Sequence, residues 1–292
     1  MLVHLMMLVH LDVYVYHKTG NVLMQSLFGV MQRHCGVQLL TRKTSLRHTH
    51  TRGDFITSGR AASAGGSCCS AAIYDVAALG SVYHRNPNET LTSWDKLHAF
   101  AERWPRRAIV HLLREPFALT ESFYLHHRAG AEGGFGMYGP LVTALRHASI
   151  QEGVAMAANF LLRFELPAMA SLHKLLAGRD DVTTLRLEEI TSGPAGFDAG
   201  IRSLLLAVGV GSRYGSDNDM VMNALRRHDL SRGAKSAHAH RDGVMAWQNA
   251  TVVRAVLRSR QNWMLAEEIR AVGRDLGYSY YTRTTERPSI II

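Results

Sequence analysis

The feature that most constrains this chain is the run from Val13 to Phe28, Val-Tyr-Val-Tyr-His-Lys-Thr-Gly-Asn-Val-Leu-Met-Gln-Ser-Leu-Phe. A short β-branched and aromatic stretch stops at His17-Lys18-Thr19-Gly20, and a stretch with helical apolar spacing follows. Strand, tight turn and helix N-terminus in that order make an anion site. The first backbone N–H groups of a helix lack intrahelical acceptors, and the helix dipole adds partial positive charge there. Lys18 adds a full charge. The turn departs from the nucleoside-triphosphate P-loop, which carries a glycine several residues before its Gly-Lys pair and a hydroxyl residue for magnesium. Thr19 supplies a hydroxyl, but Tyr16 and His17 stand where the glycine-rich approach belongs.

Strand and helix patterns alternate along the chain, which predicts an α/β domain with a parallel sheet and helices on both faces. Strands are expected at Leu11–Tyr16, Val37–Leu40, Ala108–Leu113, Val182–Leu187 and, less regularly, Ile73–Tyr83. Helices are expected at Val22–His34, Ser93–Trp104, Phe117–His127, a long stretch Pro140–Leu176, and Thr251–Leu276. Ser93 has N-cap chemistry, with Asp95 in the first turn. The Ser/Gly/Ala-rich stretch Arg60–Ser70 reads as a surface loop, and glycine-rich Gly130–Gly139 as a hinge or an acceptor-side lid.

Two later segments extend the first motif into a constellation. The apolar strand ending at Leu113 runs into Arg114-Glu115-Pro116-Phe117, and Ser122 follows eight residues after Arg114. Further on lies His240-Arg241-Asp242-Gly243-Val244-Met245-Ala246-Trp247. Together with Lys18-Thr19-Gly20 these resemble the sulfotransferases that use 3′-phosphoadenosine 5′-phosphosulfate (PAPS). Leu185-Arg186-Leu187-Glu188-Glu189-Ile190 also resembles that family's strand-end Tyr-Glu-Asp-Leu stretch, and Leu276-Gly277-Tyr278 its closing Leu-Gly-Tyr. The resemblance covers about Tyr14 to Tyr278. It implies a single domain over residues 1–292 with a three-layer, P-loop-like fold, a central mostly parallel sheet and flanking helices.

The resemblance also implies roles. Lys18, Thr19, Gly20, Asn21 and Val22 would grip the 5′-phosphosulfate, Arg114 and Ser122 the 3′-phosphate, and Arg241 and Gly243 would close over the nucleotide, with Trp247 stacking on adenine. Asn21 and Val22 replace the small hydroxyl residues usual in the family, so no side-chain hydrogen bond comes from Val22. Asp242 stands where a lysine often helps bind the 3′-phosphate, leaving Arg241 as the only cation of that motif.

Sulfuryl transfer also needs a base for the acceptor's proton. Relatives use a His or a Glu between the first two motifs. His84 lies 66 residues after Lys18 and 30 before Arg114, and a neutral imidazole suits the task. His48 and His50, in a chain with sixteen histidines, and Glu89 as the acidic alternative are the rivals. Each residue has a plainer reading: Lys18 as a solvated lysine, Arg114 as a structural partner of Glu115 or Glu121, Ser122 as helix surface, and Trp247 as core. The pairs His48/His50, His126/His127 and His238/His240 lack the companions of a metal motif, so no metal is expected.

Composition fits this picture. A chain of 292 residues, 47% hydrophobic and 20% charged, suits one large globular domain. A formal charge of +9 suits a polyanionic nucleotide donor; the basic residues are dispersed, and nucleic acid is not the expected partner. Three cysteines make no disulfide framework, and Cys35 reads as a small core or cap residue. Met1–Leu11 is apolar but short for a bilayer span, with two histidines and neither a basic leader nor a small-residue cleavage site. A cytoplasmic enzyme is expected, or a Golgi-lumenal one if an anchor of the type II kind found in many carbohydrate sulfotransferases precedes this sequence.

The expectation is therefore a PAPS-dependent sulfotransferase acting on a hydroxyl or amine, such as that of a carbohydrate or small molecule. Two rivals remain: a P-loop-type kinase, disfavoured because Arg114 stands where a magnesium-binding Asp is expected, and a non-catalytic nucleotide-binding member of the same fold. The acceptor and the oligomeric state have no signature in the sequence.

Overall fold

The structure, a computed structural model, describes residues 9–16, 21–35, 37–40, 69–75, 107–129, 138–209, 220–229 and 251–280. Strand β1 (Val9–Val15) leads through residues 16–20 to helix α1 (Asn21–Cys35), followed by β2 (Val37–Leu40), β3 (Cys69–Asp75) and β4 (Arg107–Leu113). Four helices come next: α2 (Pro116–Arg128), α3 (Tyr138–His147), α4 (Ile150–Arg163) and α5 (Glu165–Leu176). Then follow β5 (Val182–Arg186), a one-turn α6 (Leu187–Ile190), α7 (Pro194–Ala207) and α8 (Met220–Arg226). The described chain closes with a helical run over 251–257 (α9), a 3₁₀ turn at Arg260–Asn262 and α10 (Trp263–Asp275).

The five strands among the described residues are all parallel, in the order β2-β3-β1-β4-β5. This is an α/β architecture. β4 shows why the strands must lie inside: Ile109, Val110, His111, Leu112 and Leu113 are all fully buried. Alternation sends Val110 and Leu112 to one face and Ile109, His111 and Leu113 to the other. On the first face, Met24, Leu27, Phe28 and Met31 of α1 recur at helical spacing and pack with Val13, Val110 and Leu112. α7 and α8 complete that layer through Phe197, Ile201 and Leu205 and through Val221, Met222 and Leu225. The second face carries Tyr16, Ile109 and Leu113 under α2, α3, α4, α5, α9 and α10.

The expected strands at Val37–Leu40, Ala108–Leu113 and Val182–Leu187 are present to within a residue, and Leu11–Tyr16 becomes Val9–Val15. Of the expected strand Ile73–Tyr83, residues 73–75 fall in the strand Cys69–Asp75 and the rest lie outside the described residues; Cys69 and Ser70 belong to that strand rather than to a loop. The helix at Ser93–Trp104 falls outside the described residues. The long helical stretch expected over Pro140–Leu176 is three helices. Ser149 explains the first break: its hydroxyl accepts from the Glu152 N–H, and Glu152 Oε2 accepts from the Ser149 N–H at 3.0 Å, a capping box that starts a new helix. α2 and α4 pass so close that a Cβ on Gly153 would sit 2.8 Å from the Tyr124 ring. The helix expected over Thr251–Leu276 is interrupted by the 3₁₀ turn. No helix among the described residues is long and apolar enough to cross a membrane.

Candidate functional site at the carboxyl edge of the sheet

The strand order creates a place for a ligand. β1 and β4 are adjacent and parallel, with Tyr14 opposite His111. The crossover leaving β1 runs through α1 on one face towards β2, and the crossover leaving β4 runs through α2 to α5 on the other face towards β5. Right-handed connections moving in opposite directions require this. The chain therefore diverges above the carboxyl ends of β1 and β4, and such a reversal opens a crevice at the strand ends.

Two helix N-termini reach this edge, and they differ. α1 begins at Asn21 and has no acidic residue in its first turn. The N–H groups of Asn21 and Val22 are among the donors that a helix leaves without internal acceptors. α2 is already capped. Glu115 Oε2 accepts from the Ala118 N–H at 2.7 Å, with Pro116 at the first helical position. A carboxylate against the positive end of the α2 dipole is favourable, and it fills that N-terminus with the protein's own anion.

Arg114 is half-buried at the end of β4. Burial pulls its guanidinium below the ordinary arginine value, while Glu188, Glu121, Glu115 and Tyr278 act in the opposite sense. An arginine stays charged under such a shift, so the three carboxylates offset the desolvation of a fixed cation. Each carboxylate is also held elsewhere. Glu121 Oε2 lies 2.7 Å from Arg254 Nε. Glu188 Oε1 accepts the Glu115 N–H at 2.8 Å. Glu115 Oε1 accepts the Tyr280 hydroxyl at 2.6 Å.

The segment Leu276–Tyr280 crosses the ends of β4 and β5. Leu276 is buried and Gly277 has φ +75°, a left-handed turn after α10 that any side chain would strain. Arg186 Nη2 donates to the Gly277 carbonyl at 3.0 Å, and its guanidinium carbon stands 4.4 Å from the centre of the Tyr278 ring. Tyr278 donates to Glu188 Oε2 at 3.3 Å. Burial first, and then the Glu188 charge, pushes the Tyr278 phenol well above its usual value; burial and the Glu115 hydrogen bond do the same for Tyr280. Both hydroxyls stay protonated and act as donors. The structure thus brings together two stretches noted in the sequence, Leu185–Ile190 and Leu276–Tyr278.

Beneath the edge lies a second polar cluster. The Tyr16 hydroxyl and His111 Nε2 are 2.7 Å apart, and both side chains are fully buried. Burial, and then the neighbouring His173, pulls the His111 imidazole down to about 3, so it is neutral at physiological pH. The His173 ring centre on α5 lies 5.8 Å from that of His111.

Of the residues expected to form the site, Arg114 stands between β4 and α2 and Ser122 in the middle of α2, half-buried two turns beyond Glu115. Asn21 and Val22 open α1. Lys18, Thr19, Gly20, His84, Arg241, Gly243 and Trp247 lie outside the described residues, as do His48, His50 and Glu89. The plainer reading of Arg114 gains substance, since Glu115 and Glu121 both act on it electrostatically. Sequence reasoning missed the tyrosine–glutamate bonds and the Tyr16–His111 pair. Glu-Pro before a helix was a legible sign of the Glu115 cap; the rest joins residues 90 to 165 positions apart. Among the described residues no group of three or more His, Cys, Asp or Glu side chains is placed to hold a metal, and His127 packs against Phe123 with ring centres 4.3 Å apart. No protein-family model matches this chain, and no curated protein or solved structure matches it either.

Proposed function

We propose that the protein is a sulfotransferase of the PAPS-dependent kind, with a three-layer P-loop-like fold. One observation carries the reading: β1 and β4 lie side by side with parallel carboxyl ends, so the strand that precedes Lys18 in sequence neighbours the strand that ends at Arg114. The N-terminus of α1, with no acidic residue in its first turn, favours an anion beside Lys18, and the Arg114 guanidinium with the Ser122 hydroxyl suits a second phosphate. A donor with phosphate groups at two separated positions matches that division.

In this reading Lys18, Thr19, Gly20 and the N–H groups of Asn21 and Val22 hold the 5′-phosphosulfate. Arg241 and Gly243 cover the nucleotide. The acceptor oxygen attacks sulfur as the bond from sulfur to the bridging phosphate oxygen breaks, and adenosine 3′,5′-bisphosphate departs. Lys18 stabilises the charge growing on that oxygen, and His84 takes the acceptor's proton. The test is transfer of a labelled sulfuryl group from PAPS to pooled sugars, phenols, sterols and peptides. Lys18→Ala should lower the rate by about a hundredfold, the usual scale for losing one such stabilising group. Turnover of ATP with magnesium, and none of PAPS, would establish the kinase alternative instead.

A further inference from the structure

We propose that the corner where α3 meets α4 and α9 meets α10 docks on the surface of an anionic phospholipid bilayer. The inference stands apart from the sulfotransferase reading, since none of its residues belongs to the candidate donor site. Two helix junctions form the corner. α3 gives way to α4 across Ala148 and Ser149, and the 3₁₀ turn Arg260–Asn262 separates α9 from α10. Gln151 Nε2 donates to Gln261 Oε1, which ties the two junctions together across 110 positions of sequence. Beneath them Leu145 of α3, Val154 of α4, Leu257 of α9 and Ile269 of α10 belong to one buried cluster, so the corner rests on packed core.

The corner mixes exposed apolar side chains with cations. Ile150, Trp263 and Met264 are 41%, 57% and 60% exposed, three of the seven large apolar side chains left exposed among the described residues. Their clustering is what marks a contact surface, since a lone exposed apolar residue is ordinary. Arg146, Arg258 and Arg260 are exposed at the same junctions and make no ion pair among the described residues. α10 begins here with no side-chain cap and no acidic residue in its first turn, which adds partial positive charge. Of the carboxylates in the flanking turns, Glu152 accepts from the Ser149 N–H at 3.0 Å and Glu267 pairs with Arg270, while Glu268 lies one turn along α10 from Met264. Apolar groups alone would suit another protein, and cations alone a polyanion such as nucleic acid. A bilayer interface takes both: the indole and its apolar neighbours enter the headgroup boundary while the arginines meet lipid phosphates and carboxylates. From this corner the 13 residues of α10 run about 20 Å to Leu276–Tyr280, so docking fixes the distance of the candidate site from the attached corner.

Co-sedimentation of the full chain with vesicles tests this. The protein should bind vesicles of phosphatidylcholine with phosphatidylserine, bind phosphatidylcholine alone about tenfold or more weakly, and detach as salt is raised. Arg146→Gln, Arg258→Gln and Arg260→Gln together lower the formal charge by three, only from +9 to +6. They should nevertheless weaken binding about a hundredfold, at about fivefold per arginine. Trp263→Ser with Met264→Ser should weaken it about tenfold. Tryptophan emission should shift to the blue on adding the anionic vesicles, and Trp263→Phe should remove that shift. All these side chains are exposed, so the variants should melt as the wild type does. A wild-type protein that stays in solution with anionic vesicles overturns the proposal. So does a triple arginine variant that binds as wild type, which would make overall charge the cause. Vesicle binding unchanged by Trp263→Ser with Met264→Ser, alongside equal binding to heparin or duplex DNA, also overturns it in favour of a polyanion. Transfer from PAPS in solution does not depend on these residues, so this proposal and the sulfotransferase reading fail separately.

Discussion

The Tyr280 hydroxyl donates to Glu115 Oε1 at 2.6 Å, joining the end of the described chain to the residue that caps α2 across 165 positions of sequence. Its neighbour Tyr278 repeats the arrangement with Glu188, whose other oxygen holds the Glu115 N–H. The two carboxylates that flank Arg114 are thus clamped from the C-terminal side, and the Phe117 ring packs edge-on against Tyr280.

Tyr280→Phe should therefore destabilise the protein by about 1–2 kcal/mol, the usual value for a hydrogen bond to a charged group at a half-buried site. Chemical denaturation with an unchanged m-value would read this as stability alone. A variant as stable as wild type would mean that water replaces the phenol at no cost.

A pH effect follows from His111. Its folded-state value is depressed to about 3 from an ordinary value of 6.5. Between these limits the unfolded chain binds a proton that the folded chain does not, so stability is full above pH 6.5 and declines as pH falls towards 3. Going from pH 7.5 to 4.5 should remove about 3 kcal/mol through this residue. His173 is shifted in the same direction by burial and by Arg186. Denaturation midpoints of wild type and His111→Gln across that range give the check: the acid-side slope should shrink in the variant, and identical slopes would remove His111 as its source.

His84 as general base makes a separate prediction. His84→Ala should cut transfer by about 10² to 10⁴ and leave bisphosphate affinity nearly unchanged. The wild-type rate should fall as pH drops through the histidine's value, and that limb should vanish in the variant. Parallel substitutions at His48, His50 and Glu89 identify the base if His84→Ala stays active.

The alternation of β-branched strands with amphipathic helices was legible from residue pattern alone, and β4 was legible because Ala108–Leu113 is apolar at every position but His111, as suits a strand covered on both faces. The break at Ser149 was written in Ser-x-x-Glu, but the apolar spacing on either side of it outweighs so short a signal in a single sequence. The helix α7 was missed because glycine lowers helix propensity, and Gly196 and Gly200 lie inside it. Gly200 is there because Ile190 packs against it: an added Cβ would lie 2.7 Å from Ile190 Cγ1. In the candidate site, Arg114 was legible as a cation closing an apolar strand. Tyr16 was read only as the wrong residue for a P-loop. Its partner His111 is 95 positions away, and parallel pairing of β1 with β4 brings them together.

The proposed donor site is a two-point grip on a nucleotide bisphosphate at the ends of β1 and β4. Thermal unfolding with adenosine 3′,5′-bisphosphate tests it most directly. At 100 times its dissociation constant the ligand should add about 2.7 kcal/mol of stability to the wild-type protein. Arg114→Ala should lose most of that gain while unfolding on its own as a single transition. A melting curve that ignores the bisphosphate, or an Arg114→Ala protein that responds to it as wild type does, would contradict the account.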